Sequence, residues 1–302
     1  MTVDFKSDRC GRWALPQPPG MMRSMILTPP DHEAIATEAL AAMDGARQIA
    51  PFSVRYPGLS LDDAYRISAR LCALRTARGE RVIGRKIGFT NRTIWSEYGV
   101  YAPIWGFVFD TTVRDLPPPR QAAQHPFTLA PFTEPRIEPE IVFRLAAAPS
   151  PEMDETALFG CIDWVSQGFE IVHSVFPGWK FAPADTVIVN GLHGALLLAP
   201  RHPAGFGSAS DWASNLAGFE IDLLRDGAVV DRGHGANVLD GPLSALRHLV
   251  ALLARDPVNT PLATGDIVAT GTLTRAFPIL PGESWSTTLH GIELGGRPVW
   301  FA

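Results

Sequence analysis

The sequence has 302 residues, 46% of them hydrophobic, which is enough to bury a full core in one large domain or in one domain with a smaller appendage. The formal net charge of -5 and the lack of a basic stripe interleaved with aromatic residues argue against a nucleic-acid partner. No apolar run reaches the roughly 20 residues of a membrane helix, and residues 1–20 lack the order of a signal peptide, so no membrane association and a cytoplasmic location are predicted.

The N-terminal third of the chain begins with a proline-rich stretch and continues with helical patterns. Residues 1–30 show little hydrophobic periodicity, which predicts a flexible leader. A helix is predicted over 31–43, and a second one from Ser60 to about residue 79, where residues 60–63 resemble a capping box. We therefore predict a small N-terminal helical part over residues 31–80.

The rest of the chain, residues 81–302, has short β-rich segments separated by glycine and proline and is predicted to be the catalytic domain. The pair Asp226-Gly227 predicts a hairpin turn. Helices are predicted at 154–165 and 242–255. Strands are predicted at 82–88, 106–110, 137–145, 168–173, 186–198, 218–225, 228–232, 266–271 and 284–290. The predicted fold class is therefore α+β.

Three glutamates predict a divalent-metal site. Glu138 and Glu140 are two apart in a predicted strand, so both carboxylates would point to one face. Glu170 lies in a second apolar, strand-like stretch, where an unpaired carboxylate is costly. Like charges held together need a cation or a shared proton, and oxygen-only ligands suit Mg²⁺, Mn²⁺ or Ca²⁺. The alternative is a solvated strand face, with Glu170 paired to an arginine.

Two lysines are candidates for binding an anionic substrate. Lys86 lies in a strand bracketed by glycines, which permit close approach of a ligand. Taken alone, this pattern is more typical of a lysine that extends to solvent from a strand edge. Lys180 is a candidate of the same kind, and its predicted loop setting favours a ligand role.

Polar and small residues at strand ends are further candidates. Asn190 follows an apolar run that is predicted as a strand, and His193, which comes shortly after, is more commonly a surface-loop residue. Thr270 and Gly271 close another strand, where backbone N–H groups could bind a carboxylate or simply form a tight bend. The chain lacks a GxGxxG fingerprint, a Walker A loop and a Gly-x-Ser-x-Gly elbow, which disfavours nucleotide cofactors and serine hydrolysis.

Five segments occur in the order seen in the fumarylacetoacetate hydrolase superfamily. The sequence most resembles its branch of 2-oxopent-4-enoate hydratases and oxalocrotonate decarboxylases of aromatic meta-cleavage pathways, over about residues 30–302. The five segments are 84–90, 137–141, 168–172, 189–191 and 262–271. The resemblance implies a fumarylacetoacetase-like mixed β-sandwich roll with a small N-terminal helical part, and a homo-oligomer.

The same resemblance implies a function and a set of site residues. Glu138, Glu140 and Glu170 match the metal ligands of the family, for Mg²⁺ or Mn²⁺, and Lys86 matches its substrate-side lysine. A small-molecule 2-oxo acid would chelate the ion through its carboxylate and its keto or enol oxygen. The implied activity is that of a lyase, a hydratase of a 2-hydroxy-dienoate or 2-oxo-enoate.

One departure from the family keeps other activities open. Related hydratases often carry an acid in the stretch aligned with residues 100–106, where this chain has Tyr101 and Ile104. Tyr101 is therefore the candidate proton donor. The alternatives are decarboxylation of an oxalocrotonate-like 2-oxo diacid, C–C bond hydrolysis of an acylpyruvate, or a non-catalytic member that binds a 2-oxo acid.

Overall fold

The computed structural model describes residues 30–302, apart from 93–94, 99–101 and 206–208. The predicted leader, up to residue 29, and the candidate Tyr101 therefore lie outside the described residues. The described helices are α1 (His32–Asp44), α2 (Phe52–Arg55), α3 (Leu61–Ala77), α4 (Trp95–Tyr98), α5 (Pro119–Ala122), α6 (Glu155–Phe159), α7 (Pro183–Ile188), α8 (Ala209–Gly218) and α9 (Pro242–Leu253).

The strands of the described chain form two sheets. They are β1 (Val82–Gly88), β2 (Ile104–Phe109), β3 (Val113–Asp115), β4 (Arg136–Leu145), β5 (Ile162–Val172), β6 (His193–Leu198), β7 (His202–Pro203), β8 (Glu220–Arg225), β9 (Ala228–His234), β10 (Ile267–Ala269), β11 (Phe277–Pro278), β12 (Ser284–His290) and β13 (Val299–Trp300). The larger sheet has the order β2-β1-β10-β4-β5-β6-β3, with β11 paired to β4 and β7 to β5. The smaller sheet has the order β13-β12-β8-β9.

The larger sheet is mixed. The pairs β1–β10 and β3–β6 are parallel, whereas the other pairs are antiparallel. In the smaller sheet, Asp226 and Gly227 form the predicted two-residue turn between β8 and β9, with φ of 51° and 80°. A mixed sheet, a second sheet and a small helical part confirm the α+β class.

The N-terminal helices begin where their capping residues predict. Asp31 accepts hydrogen bonds from two backbone N–H groups of the first turn of α1, and Ser60 and Asp63 form the predicted capping box of α3. The apolar sides of α1 and α3 share one buried cluster with α7 of the following part. The boundary near residue 80 stays a prediction. Among the described helices, none is both long enough and apolar enough to cross a membrane.

Two predicted elements are wrong in part. The strand predicted over 186–198 is a strand only over β6, because α7 occupies the first residues. Pro183 stands in the first turn of α7, and Asp185 accepts a hydrogen bond from the backbone N–H of Ala182, which together start a helix there. The helix predicted over 154–165 ends with α6 near Gly160, and β5 begins two residues later.

Candidate functional site

The pairing of β4 with β5 brings the three predicted glutamates together. Glu138 is directly opposite Glu170, and Glu140 lies two residues further along the same strand. One carboxylate oxygen from each residue lies within 4.8 Å of the others. Glu140 and Glu170 are fully buried, while Glu138 is half-buried. The group is the one predicted from the sequence, and its role in binding a metal stays a prediction.

Lys86 of β1 lies against this group. Its Nζ atom is 3.1 Å from Oε2 of Glu170 and donates a hydrogen bond to the carbonyl oxygen of Gly191, also at 3.1 Å. Burial disfavours the charged form, but the nearby carboxylates, chiefly that of Glu170, outweigh it and raise the pKa of Lys86. Only 4% of the side chain is exposed, so the interpretation of a lysine that extends to solvent is wrong.

The carboxylates cannot all be charged without a compensating cation. Burial, followed by repulsion from Glu170, raises the pKa of Glu138 to about 7 and raises the pKa of Glu140 well above its usual range. For Glu170 burial acts in the same direction, but the charge of Lys86 and a hydrogen bond from His193 prevail and lower its pKa. The charged form is therefore disfavoured at Glu138 and Glu140 unless a cation compensates it.

The geometry of Glu140 fits a hard divalent cation. Its Oε2 atom accepts a hydrogen bond from the backbone N–H of Gly271 at 2.9 Å. Its Oε1 atom is buried and has no hydrogen-bond partner among the described residues. A buried, unsatisfied carboxylate oxygen is costly, and a cation held by three carboxylates would satisfy it. The donor set thus suits an ion of the Mg²⁺ type.

Gly271 is required by the close packing around Glu140. Its φ is +100°, and a Cβ atom placed there would lie 1.8 Å from Oγ1 of Thr90. The neighbouring Thr270 is fully buried and donates its hydroxyl hydrogen to the carbonyl oxygen of Ile141. Gly271 therefore orients a carboxylate of the site, whereas Thr270 fastens the chain to β4.

A cavity of about 260 Å³ opens above this group. Lys86, Glu138, Thr90 and Gly271 line its polar side, and aromatic residues line much of the remainder. Thr90 is only 1% exposed, and its Oγ1 atom makes no hydrogen bond to any described residue. A buried hydroxyl in a cavity wall is costly unless a ligand or water takes its hydrogen bond, so this position is suited to contact a substrate.

Of the four predicted substrate-binding residues, Gly271 lines the cavity, whereas Lys180, Asn190 and Thr270 do not. Lys180 is exposed, and the wall contains its neighbours Trp179 and Phe181 instead. Asn190 is buried, and its side-chain amide exchanges two hydrogen bonds with the backbone of Phe107, at 2.7 and 2.9 Å. Asn190 therefore connects the segment before β6 to β2.

His193 contacts the group of glutamates, and the surface loop that its sequence left as the commoner alternative is wrong. The ring is buried at the start of β6, with Nδ1 2.7 Å from Oε1 of Glu170 and Nε2 2.9 Å from Oγ1 of Thr112. Its position directly before the apolar run of β6 is the signal that could have indicated burial.

Two arginines of the cavity wall, Arg136 and Arg275, were also given no role from the sequence.

No protein-family model matches the chain. A 2-hydroxyhexa-2,4-dienoate hydratase of Comamonas testosteroni is 29% identical over 253 residues, which cover 83% of this chain and 90% of the relative. A 2-keto-4-pentenoate hydratase of Paraburkholderia xenovorans (strain LB400) is 29% identical over 269 residues, covering 88% and 94%. Among solved structures, 4-oxalocrotonate decarboxylase from Pseudomonas putida G7, complexed with magnesium and adipate, matches with a TM-score of 0.79 at 25% identity, covering 90% of this chain and 97% of that chain.

These three matches each cover at least 90% of the other protein and include the strands that carry the glutamates. The hydratase relatives and the decarboxylase structure support the resemblance to the fumarylacetoacetate hydrolase superfamily, in the branch of 2-keto-4-pentenoate hydratases and oxalocrotonate decarboxylases that the five segments predicted. The structural match also confirms the fumarylacetoacetase-like fold class.

Proposed function

We propose that this protein is a divalent-metal-dependent hydratase, a lyase that acts on a 2-hydroxy-dienoate or related 2-oxo-enoate of aromatic meta-cleavage catabolism. The observation that carries the proposal is the buried group of Glu138, Glu140 and Glu170 beside Lys86, at the base of a cavity. Two hydratases that are 29% identical over more than four-fifths of the chain support the reaction class.

The proposed cofactor is Mg²⁺ or Mn²⁺, held by Glu138, Glu140 and Glu170. Their oxygen-only donor set and the unsatisfied oxygen of Glu140 support a hard ion, and the solved decarboxylase was complexed with magnesium. When bound, the cation would act as a Lewis acid toward the carboxylate and keto or enol oxygens of a 2-oxo acid. The hydrogen bonds from Gly271 and His193 hold two of the carboxylates in place for it.

In this proposal Lys86 holds negative charge on the substrate. An ammonium group has three N–H donors, and Glu170 and the carbonyl of Gly191 engage two of them. The third is available to a substrate oxygen in the cavity that Lys86 lines. Because its pKa is raised, Lys86 remains protonated, which favours charge stabilisation and orientation over proton abstraction.

Thr90 and Tyr101 complete the proposed set of substrate contacts. The buried hydroxyl of Thr90 would donate to a substrate oxygen and so restrict the orientation of the bound acid. Tyr101 stays the predicted proton donor for the hydration step. Hydration also requires a positioned water, whereas decarboxylation of an oxalocrotonate-like diacid does not. Decarboxylation is therefore the alternative that the test must distinguish from hydration.

The proposed function is tested by an ultraviolet assay of metal-stripped protein with freshly generated 2-hydroxypenta-2,4-dienoate, with and without Mg²⁺ or Mn²⁺. Metal-dependent loss of the dienoate chromophore, with the hydrated acid as product, is the expected result. Release of CO₂ from oxalocrotonate without hydration would identify a decarboxylase. Metal binding with no turnover of either acid would contradict the proposed hydratase and would favour a different 2-oxo acid substrate or a protein that only binds 2-oxo acids.

We also propose that the protein acts as a homo-oligomer in the cytoplasm. The support for the oligomer is the family resemblance, and the similarity to 2-keto-4-pentenoate hydratases supports the location. Light scattering coupled to size-exclusion chromatography would measure the mass of the particle against the 32.8 kDa of one chain. A monomer at the protein concentration used for the assay would contradict the oligomer.

A further inference from the structure

Arg85 is a buried cation that has no part in the proposed catalytic site. The residue is only 3% exposed, and it lines a second cavity of about 760 Å³, which we call the Arg85 cavity. This cavity is bounded by α3, β1 and the segment 258–266. Successive side chains of a strand point to opposite faces, so Arg85 and Lys86 lie on opposite faces of β1. Among the described residues, none lines both the Arg85 cavity and the cavity above the glutamates.

The guanidinium of Arg85 has more hydrogen-bond donors than acceptors around it. One terminal nitrogen donates to the carbonyl oxygen of Gly84 at 3.0 Å, and the other donates to that of Thr260 at 3.4 Å, which is long for such a bond. The Nε atom is buried and makes no hydrogen bond to any described residue. A guanidinium carries five N–H donors, so these two bonds leave the Nε edge of the group without an acceptor.

The charge of Arg85 also lacks a counter-ion. Within the described part of the chain, no carboxylate forms an ion pair with its guanidinium. Asp266 lines the same cavity, but its carboxylate accepts a hydrogen bond from the backbone N–H of Ala263 at 2.8 Å. The carboxylate of Asp256 likewise accepts hydrogen bonds from backbone N–H groups of its own turn. Burial outweighs the attraction to these aspartates and lowers the pKa of Arg85.

Aromatic rings hold this cation in place but do not neutralise it. The guanidinium carbon is 4.4 Å from the ring centre of Phe107 and 5.4 Å from that of Trp105. Such contacts are common for arginines and by themselves would indicate only packing. A buried charge without a counter-ion is costly, however, and so is a buried N–H group without an acceptor. An anion bound in the Arg85 cavity would supply both the counter-charge and the acceptor.

We propose that the Arg85 cavity binds a small organic acid with a single carboxylate. A carboxylate pairs with a guanidinium through two parallel hydrogen bonds, which would engage the Nε edge. Only one positive charge needs to be compensated, and the charges of Asp256 and Asp266 nearby disfavour a second negative charge on the ligand. The Arg85 cavity would bind this acid whether or not the proposed function holds.

The rest of the wall suits the hydrocarbon part of such an acid. Small residues of α3 form one part of it, among them Ala69, Cys72 and Ala73. Val258 and Pro261 contribute apolar surface from the segment that follows α9. Apolar surface of this kind gains free energy when a hydrocarbon chain displaces water from it. A short fatty acid such as butanoate combines one carboxylate with an apolar chain and is therefore the probe.

The test measures binding of butanoate to the full-length protein by isothermal titration calorimetry, once with Mg²⁺ and once after chelation. The neutral isostere butanamide and inorganic phosphate are the comparison ligands. Butanoate is expected to bind at least about tenfold more tightly than butanamide, because a hydrogen bond to a charged group typically contributes that much. Binding should persist after chelation, since the Arg85 cavity lies on the other face of β1 from the group of glutamates. Butanoate binding that disappears on chelation would place the acid at the glutamates and overturn the inference.

Two variants assign the binding to Arg85. Arg85→Gln should weaken the metal-independent binding of butanoate by at least about tenfold, because it removes the charge and the guanidinium edge. Arg81→Gln is the matched control, since Arg81 is exposed, pairs with Asp110 and lies outside the wall of the Arg85 cavity. Equal affinity of wild-type protein for butanoate and butanamide, or undiminished binding in Arg85→Gln, would overturn the inference. Tighter binding of phosphate than of butanoate would overturn the choice of a monocarboxylate.

Alkylation of cysteines in wild-type protein gives a second readout that requires no substitution of Arg85. Cys72 lines the Arg85 cavity, whereas Cys161 is buried beside α6 and outside the wall of that cavity. Bound butanoate should slow the reaction of Cys72 with the neutral reagent iodoacetamide and leave the reaction of Cys161 unchanged, as measured by peptide mass spectrometry. Butanamide should protect Cys72 less. A modification rate of Cys72 that is the same with and without butanoate would overturn the inference.

Discussion

His193 and Glu170 form a buried hydrogen bond between neighbouring strands, with 2.7 Å between Nδ1 and Oε1. The other oxygen of the same carboxylate lies 3.1 Å from Nζ of Lys86. His193 and Lys86 therefore hold Glu170 from two sides, and the second ring nitrogen of His193 contacts the hydroxyl of Thr112. A carboxylate held in this way is preorganised to bind a metal ion without reorientation.

Substitution of His193 tests this positioning role. His193→Ala is expected to weaken Mg²⁺ or Mn²⁺ binding by about 10- to 100-fold, because Glu170 loses the hydrogen bond that orients it. Isothermal titration calorimetry measures the affinity, and excess metal should restore much of the turnover. His290→Ala is the control, since His290 is an exposed residue of the smaller sheet. Metal affinity unchanged from wild type would contradict the role given to His193.

Removal of a carboxylate of the proposed metal site should reduce metal binding more than removal of His193, which only orients one of these carboxylates. Glu140→Gln is expected to abolish measurable metal binding and turnover, because one of three carboxylates is lost. The variant should still fold, since Gln is close to Glu in size and lacks the buried charge, and circular dichroism checks this. Glu293→Gln, at an exposed position, should leave activity unchanged. Wild-type turnover in Glu140→Gln would refute the proposed metal site.

The hydroxyl of Thr90 should matter for substrate binding and not for stability. Thr90→Val replaces a buried hydroxyl that has no partner among the described residues, so the melting temperature should not fall. Loss of a neutral hydrogen bond to the substrate should lower kcat/KM by about 3- to 10-fold. Thr90→Ser, which keeps the hydroxyl, should retain most of the activity. A Thr90→Val variant as efficient as wild type would show that the substrate does not contact this residue.

An ion-pair network beside α3 predicts a pH dependence of stability. Hydrogen bonds from Arg75, Thr111 and Arg78 outweigh the opposing effect of burial and lower the pKa of Glu80 to about 2. The stabilisation is complete above the usual carboxyl pKa and is lost as the pH falls toward 2. Glu80→Gln should therefore lower the free energy of unfolding by on the order of 3 kcal/mol at pH 7 and by roughly half of that or less at pH 3.

Urea denaturation at both pH values measures the contribution of Glu80. The control is Glu38→Gln, because Glu38 forms an exposed ion pair with Arg55, and such pairs contribute little. The control should lower the free energy of unfolding by less than about 1 kcal/mol at both pH values. A difference between Glu80→Gln and wild type that is the same at pH 7 and pH 3 would show that the carboxylate charge is not the cause.

Local signals predicted much of the fold. The capping residues Asp31 and Ser60 mark the starts of α1 and α3, and the Asp226-Gly227 pair marks the hairpin between β8 and β9. Helix starts and tight turns can be predicted in this way because they depend mainly on residues that are neighbours in the sequence. The strand prediction failed over residues 186–189. Their β-branched side chains favour a strand, but burial of α7 against α3 stabilises a helix. Tertiary packing overrode local propensity there.

The candidate site was predictable only in part, for a similar reason. Glu138 and Glu140 share a face by strand periodicity, and the cost of an unpaired carboxylate in an apolar stretch indicated Glu170, in agreement with the family resemblance. The position of His193 beside Glu170 depends on the β5–β6 register, which shifts between Ile171 and Val172. Such a shift arises from long-range pairing and leaves no pattern in the sequence that a local analysis could detect.

The site draws on five strands that are neighbours in the larger sheet. Lys86 comes from β1, Gly271 follows β10, the glutamates come from β4 and β5, and His193 begins β6. These residues are spread over 86–271 and no single strand or hairpin contains them, so the proposed ion would bind only after the five strands have paired. A cation at 100 times its dissociation constant would then add about 2.7 kcal/mol to global stability. Chelation should consequently lower the unfolding temperature of the whole sheet in one cooperative transition. Metal binding and folding of the complete sheet would then be thermodynamically coupled.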